Sequence, residues 1–180
     1  LTNYLMLSTL TCQIFQKHGL MAKMRTLCPR VHRPEITIQL SNGNIVVAWT
    51  STDDTGAGSS PGNDIIGRIY DPEGNPVTAE FRVNSFGTAN NERDFDLAAL
   101  PNGNFVVVYE RADITTGNVD ICIDVVSPTG TNIQGAFIVS DAAGDPAYRN
   151  PVVSVSSNSS VLVAYEEVTA GVATIEGKIY

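Results

Sequence analysis

Five aspartates are the residues of this sequence whose type and spacing best suit a metal site. Asp53, Asp54 and Asp64 bracket a Gly- and Ser-rich loop at residues 50–63, and Asp113 and Asp120 form the equivalent pair further along the chain. Calcium needs several oxygen ligands that converge on one point, and carboxylates are good ligands for it. Asp, Asn and Gly also form turns, so turn formation is the alternative role. The sequence predicts these five aspartates as candidate calcium ligands and predicts no other cofactor.

The residues for nucleophilic or zinc catalysis are missing from most of the chain. Both histidines, His18 and His32, lie in the first 33 residues, and the sequence has no C-x-x-C motif. Glu110 and Glu166 could form the carboxylate pair of a glycosidase, but they are equivalent positions of a repeat, 56 residues apart. A recurring position is typical of a structural role, whereas catalysis needs one asymmetric site. We therefore predict no catalytic residue and a protein that is not an enzyme.

Three aromatic residues recur with the same repeat. Trp49, Tyr109 and Tyr165 each end an apolar run that follows a turn. They could line a surface that faces a carbohydrate, or they could pack between repeats. Because each continues an apolar strand face, packing is the interpretation that the pattern favours, with all three in equivalent places on neighbouring second strands.

The elements that must position these residues are visible as an internal repeat of about 56 residues. N-G-N-I-V-V-A-W at residues 42–49 recurs as N-G-N-F-V-V-V-Y at 102–109 and N-S-S-V-L-V-A-Y at 158–165. D-I-I-G-R-I-Y-D-P-E-G at 64–74 recurs as D-I-C-I-D-V-V-S-P-T-G at 120–130 and in part as I-E-G-K-I-Y at 175–180. E-F-R-V-N at 80–84 matches A-F-I-V-S at 136–140. The first hairpin spacing is 60 rather than 56, which places four extra residues in the loop that carries Asp53 and Asp54.

Each unit is predicted to contain four antiparallel strands. The Asn-Gly pairs favour a tight hairpin with positive φ at both turn residues, and D-P-E-G is typical of a type I turn. The second strand is apolar on both faces, which indicates an interior strand. The third strand alternates, and its charged position recurs as Arg68, Asp124 and Lys178, which predicts a face in solvent. Four such strands in a unit of this length predict a β-propeller blade.

The pattern as a whole resembles the blade-type tandem repeats of very large secreted bacterial proteins, adhesin-like or calcium-associated (RTX-type) surface proteins. The resemblance covers residues 34–180 and implies an extracellular or cell-surface, non-catalytic binding or adhesion module. The motif D-x-D-x-D-G of related calcium-binding propellers is absent here. Residues 51–56, S-T-D-D-T-G, also resemble the aspartate box of sialidase propellers without its closing Thr-Trp. A secreted glycosidase-like propeller hydrolase and a purely structural spacer are the alternatives.

The charge distribution divides the sequence into two regions of different composition. Residues 1–33 match nothing downstream and are predicted to be a basic leader, helical or disordered. Residues 34–180 form an all-β domain of tandem four-stranded blade-like repeats, with units at about 34–93, 94–149 and 150–180. That makes about two and a half blades of an incomplete propeller, whereas a closed propeller has about four to eight.

The partner classes follow from charge and hydropathy. Residues 35–180 hold six basic and nineteen acidic residues, so this region repels nucleic acid. No apolar run reaches the length of about 20 residues that a membrane span needs. Only one of the three cysteines, Cys122, lies in the repeats, so no disulfide framework is expected. We predict a protein or carbohydrate ligand, together with self-association or further repeats that cover the last blade.

Overall fold

The computed structural model describes residues 36–51, 62–85, 90–140 and 147–180, and in these ranges it contains strands and no helix. The predicted leader, residues 1–33, lies outside them. The strands are β1 (Ile36–Gln39), β2 (Ile45–Ser51), β3 (Asp64–Tyr70), β4 (Phe81–Arg82), β5 (Asn90–Ala99), β6 (Phe105–Asp113), β7 (Val119–Val126), β8 (Asn132–Ile138), β9 (Ala147–Val155), β10 (Val161–Thr169) and β11 (Val172–Ile179).

The strands form three antiparallel sheets in simple chain order. The first sheet is β1-β2-β3-β4, the second β5-β6-β7-β8, and the third β9-β10-β11. The first strands of the sheets, β1, β5 and β9, lie next to one another and bring the sheets together like the blades of a propeller. The predicted all-β fold of blade-like repeats in an incomplete propeller is confirmed. We call the three sheets the first, second and third blade.

The core lies between the blades. One cluster joins Val46, Ala48 and Ile65 of the first blade to Phe95 and Tyr109 of the second. A second cluster packs Val106, Val108 and Ile121 of the second blade against Val163 and Tyr165 of the third. The second strands β2 and β6 are thus buried on both faces, as their unbroken apolar runs predict, whereas β10 is buried on one face only. Burial of these side chains is the main stabilising contribution.

The aromatic positions confirm the repeat alignment. Trp49 pairs with Ile66 across β2 and β3, Tyr109 with Cys122 across β6 and β7, and Tyr165 with Glu176 across β10 and β11. All three aromatic side chains are buried, and the Tyr165 ring packs edge-on against Tyr148 with 5.7 Å between ring centroids. The packing interpretation is therefore confirmed, and these rings do not form a surface for carbohydrate.

The hairpin prediction is right in position and wrong in turn type. Positive φ occurs at Gly43, Gly103 and Ser159, the second residue of each predicted pair, and not at the preceding Asn. Gly43 N–H donates to Leu40 O at 2.9 Å, which closes a type I turn followed by a left-handed bulge residue. The Asn42 side chain accepts from Asn44 N–H at 3.0 Å, so Asn serves as a hydrogen-bond acceptor there. The predicted type I turn at D-P-E-G is confirmed by the 3.0 Å bond from Gly74 N–H to Asp71 O.

The predicted solvent face at the charged position of the third strands is wrong. Asp124 is 1% exposed, because Tyr109 of its own blade and Ser85 of the first blade enclose it. Arg68 donates to Thr78 O at 3.2 Å, and Lys178 Nζ reaches Val139 O of the second blade at 2.7 Å. The position recurs because its polar group forms hydrogen bonds with nearby segments of the same polypeptide. The alternating pattern alone could not distinguish such bonding from exposure to water.

Candidate functional site

The most unusual polar residue of the described chain is Glu92, near the start of β5. Its side chain is 1% exposed, and its Oε1 has no hydrogen-bond partner among the described residues. Its backbone N–H donates to Asn63 O at 3.0 Å, which fixes it at the junction between the first and second blades. A buried, unsatisfied carboxyl oxygen costs stability, so its presence suggests a functional role.

Burial sets the protonation state of this carboxyl. It raises the pKa of Glu92 from 4.5 to about 8, and the negative charge of Asp64 adds to the rise. Arg82 and Arg111 act in the opposite direction but do not offset burial. Glu92 therefore holds its proton at neutral pH, in the state required of a proton donor.

The neighbours of Glu92 come from both blades. Across the second blade, Glu92 pairs with Arg111 of β6, which in turn pairs with Asp120 of β7. The Arg111 and Asp120 side chains form an ion pair at 3.7 Å between Nη2 and Oδ2. From the first blade comes Asp64, whose Oδ1 accepts from Asn84 Nδ2 at 2.9 Å. We call Glu92 and Asp64 the carboxyl pair.

Glu92 also breaks the repeat. The residue 56 positions later is Tyr148, which is buried against Tyr165. The carboxyl pair is therefore a single asymmetric site in a repetitive molecule. The sequence analysis required catalytic residues to form one site that does not recur, and it found none. The difference between Glu92 and Tyr148 at equivalent positions was nevertheless visible in the sequence.

Glu110 and Glu166 have the structural role that their repetition predicts. Glu110 accepts from Arg93 Nε at 2.9 Å and from the backbone N–H of Asn150, in the third blade, at 2.9 Å. Glu166 accepts from Arg149 Nε at 2.7 Å. The arginine bond, and the Asn150 side chain beside it, hold the pKa of Glu166 below its ordinary value. These carboxylates are engaged in contacts within and between blades.

The predicted calcium ligands are not brought together in the described chain. Asp53 and Asp54 lie outside the described residues, as does most of the segment that resembles an aspartate box. Asp113 accepts from the N–H groups of Thr115 and Thr116 at 2.7 and 3.0 Å, which lowers its pKa, and acts as a turn former. Asp120 faces a guanidinium, and the described residues contain no group of three or more His, Cys, Asp or Glu side chains that could hold a metal. Asp113 and Asp120 each bond to groups of the protein itself, and calcium binding stays a prediction.

Solved structures share this fold at low identity. The Hadza microbial sialidase Hz136 has a TM-score of 0.60 and 8% identity over 82% of this chain and 34% of its own. An alpha-L-arabinanase from Penicillium chrysogenum, solved with arabinobiose, has a TM-score of 0.54 and 11% identity over 76% of this chain and 41% of its own. A thermostable family-43 glycoside hydrolase has a TM-score of 0.53 and 10% identity over 84% of this chain and 57% of its own. This chain therefore corresponds to between about a third and three-fifths of those proteins. No protein-family model and no curated protein matches the sequence.

These structures define the chain as a partial β-propeller, and they correct one prediction. We predicted a protein that is not an enzyme, but the solved propellers that share the fold are named a sialidase, an arabinanase and a glycoside hydrolase. The argument from recurring carboxylates considered Glu110 and Glu166 and did not consider Glu92. The blade fold implied by the resemblance is supported, whereas its adhesin-like or RTX-type identity remains a prediction. The described residues include no helix long and apolar enough to cross a membrane.

Proposed function

We propose that this chain is part of a carbohydrate-acting propeller of the glycoside hydrolase type, with the carboxyl pair as its acid and base. The observation that supports this most is the protonated, buried Glu92 beside Asp64. Hydrolysis of a glycosidic bond uses one carboxylic acid that protonates the leaving oxygen and one carboxylate that acts as nucleophile or base. Two carboxyl groups whose environments separate their proton affinities are suited to those two roles.

Glu92 is the proposed acid because it keeps its proton at neutral pH and its Oε1 has no other partner in the described chain. Asp64 is the proposed carboxylate because it lies beside Glu92 and Asn84 donates to its Oδ1 at 2.9 Å, which holds that oxygen in place. Asp64 begins β3 and Glu92 lies near the start of β5, where Glu92 N–H donates to Asn63 O, so the ends of two strands from different blades bring the two residues to the same junction.

Hydrolysis of aryl glycosides tests the proposal. The chain is assayed with aryl arabinofuranosides, xylosides and sialosides, and Glu92→Gln and Asp64→Asn are compared with Glu73→Gln, which changes an exposed turn carboxylate. We expect kcat on at least one substrate to fall by about a hundredfold or more in the first two variants and to stay unchanged in the third. Activity that survives Glu92→Gln, or no hydrolysis of any of the substrates, contradicts the assignment.

We also propose calcium binding and a secreted or cell-surface location. The acidic repeat region with a single cysteine fits a protein that is secreted without a disulfide framework. Asp53 and Asp54 are the proposed calcium ligands, because Asp64 is assigned to the carboxyl pair. Calorimetric titration with calcium should give heat with the wild-type chain and less heat after the double change Asp53→Ala and Asp54→Ala. Unchanged heat in the variant, or none in the wild type, excludes these ligands.

A further inference from the structure

The third blade exposes an apolar face whose equivalents in the first and second blades are buried. The face carries Val152, Leu162, Ile175 and Ile179, whose side chains lie on the same side of β9, β10 and β11. Leu162 pairs with Ile179, Val152 with Ala164, and Ile175 with Glu166. We call it the open face. All four side chains are well exposed, Ile175 at 72% and Leu162 at 45%. Exposed apolar groups that form one continuous patch mark an interaction surface.

The repeat shows what such a face contacts. Ile175 is equivalent to Ile65 in the first blade and Ile121 in the second, and both of these are fully buried. Ile65 lies against the second blade and Ile121 against the third. In both cases the cover is the opposite face of the following blade, which carries the aromatic residue of the second strand. The open face is thus the third occurrence of an interface that this molecule already forms twice.

A hydrogen-bonding group is in place on the open face as well. At the interface of the second and third blades, one oxygen of Glu110 accepts a hydrogen bond from Arg93. Its other oxygen accepts from the backbone N–H of Asn150 in β9, the first strand of the third blade. Glu166, opposite Ile175 on the open face, holds Arg149 in the same way. The edge strand β11 likewise has no fourth strand beside it among the described residues, whereas β3 and β7 each have one.

We propose that the open face binds a further blade of the same repeat, which pairs with β11, covers Ile175 and donates a backbone N–H to Glu166. A second copy of the chain stacked head to tail does not meet this requirement. The face that it would have to present, with Trp49 and Tyr70 of the first blade, is already buried. The occupant is therefore a further blade in the same polypeptide. This inference does not depend on the proposed hydrolase activity.

An extended chain tests the inference. Residues 71–126 are joined to Tyr180, because Tyr180 is equivalent to Tyr70 and residue 71 is the next position of the repeat. Hydrogen exchange is measured by mass spectrometry on the peptides of β10 and β11, which the added segment does not duplicate. We expect exchange in these peptides to slow by about tenfold or more relative to the unextended chain. Ile175→Lys in the extended chain should abolish the slowing, and Glu166→Gln should reduce it, whereas Ile133→Lys, at an exposed site of β8, should leave it intact.

The unextended chain supplies a second measurement should the extension fail to fold. Sedimentation at about 5 to 100 micromolar should show association of two uncovered open faces with each other, a contact different from head-to-tail stacking, which Ile175→Lys removes and Ile133→Lys does not. A chain that stays monomeric over this range, or association that survives Ile175→Lys, overturns the inference. Unchanged exchange in a folded extended chain also overturns it, and in that case association that depends on Ile175 identifies a second copy as the partner.

Discussion

Replacing Glu92 with Gln should change how the stability of this protein depends on pH. The amide has nearly the shape of the protonated carboxyl but cannot lose a proton. Between pH 4.5 and about 8 the unfolded wild-type chain releases the Glu92 proton while the folded chain keeps it. The unfolded state then binds fewer protons, so the free energy of unfolding falls as the pH rises through this window.

The size of the effect follows from the two pKa values. A tenfold change in proton affinity is worth about 1.4 kcal/mol. A pKa raised from 4.5 to about 8 therefore corresponds to a loss on the order of 5 kcal/mol between acidic and alkaline conditions. Glu92→Gln removes that loss, so the variant and the wild type should be similarly stable near pH 4.5 and the variant clearly more stable above pH 8.

Urea unfolding across this pH range, followed by both Trp49 fluorescence and circular dichroism, measures the effect. The quantity to compare is the difference in unfolding free energy between the variant and the wild type at each pH. Subtraction cancels the other titrating groups, including Asp124, whose pKa is also raised, mainly by burial. A difference that stays constant across the window would refute the conclusion that Glu92 is neutral in the folded protein.

Two matched pairs of substitutions test the packing in the same urea assay. Gly130→Ala should destabilise the protein by about 1–3 kcal/mol more than Gly117→Ala, since both positions have left-handed backbone but a Cβ at 130 would lie 2.6 Å from the Phe81 ring. Equal losses would show that the ring moves aside freely. Ile121→Ala should cost about 2–5 kcal/mol and Ile175→Ala less than about 0.5, because one repeat position is buried between blades and the other is exposed. Similar losses at the two positions would mean that the open face is covered in the isolated chain.

The fold was predictable because its signals are local. Apolar alternation and the turn residues at Gly43, Gly74 and Gly103 fix where each strand begins and ends, and the repeat supplies these signals more than once. The turn type of the Asn-Gly hairpins could also have been predicted from the sequence. Ser159 stands in place of a glycine, which indicates that only one turn residue needs positive φ, and Asn is retained before it because its side chain accepts a backbone bond.

The bulges in the first strands could not be predicted in the same way. Asp94 and Asn150, 56 residues apart, both have positive φ, at 42° and 54°, and they shift the register of β5 and β9. Periodicity of two fails across such a bulge, so alternation in the sequence indicates only the part of each strand after the bulge, whereas β5 and β9 begin at Asn90 and Ala147. Asp and Asn tolerate this backbone conformation better than other side chains, but they are equally common in loops.

The candidate site was half predictable for a different reason. Asp64 stood out because it opens a repeated motif. Glu92 did not, because its burial and raised pKa arise from contact between two blades, and no local pattern reports on that contact. Sequence reasoning correctly placed Glu110 and Glu166 in structural roles and then extended that conclusion to the whole chain.

The hydrogen bonds around Asp124 affect which part of the molecule unfolds first. Asp124 belongs to the second blade, but Ser85, which follows the first blade, donates both its backbone N–H and its hydroxyl to this carboxylate. The first two blades are thus coupled by a buried polar network in addition to apolar packing, and the bonds from Asn150 to Glu110 and from Lys178 to Val139 couple the third blade to the second. Within such a molecule, the segment with the fewest buried contacts opens at the lowest free energy. The edge strand β11, which is exposed along most of its length, should therefore fray and become accessible to proteases while the two blades joined through Asp124 remain folded.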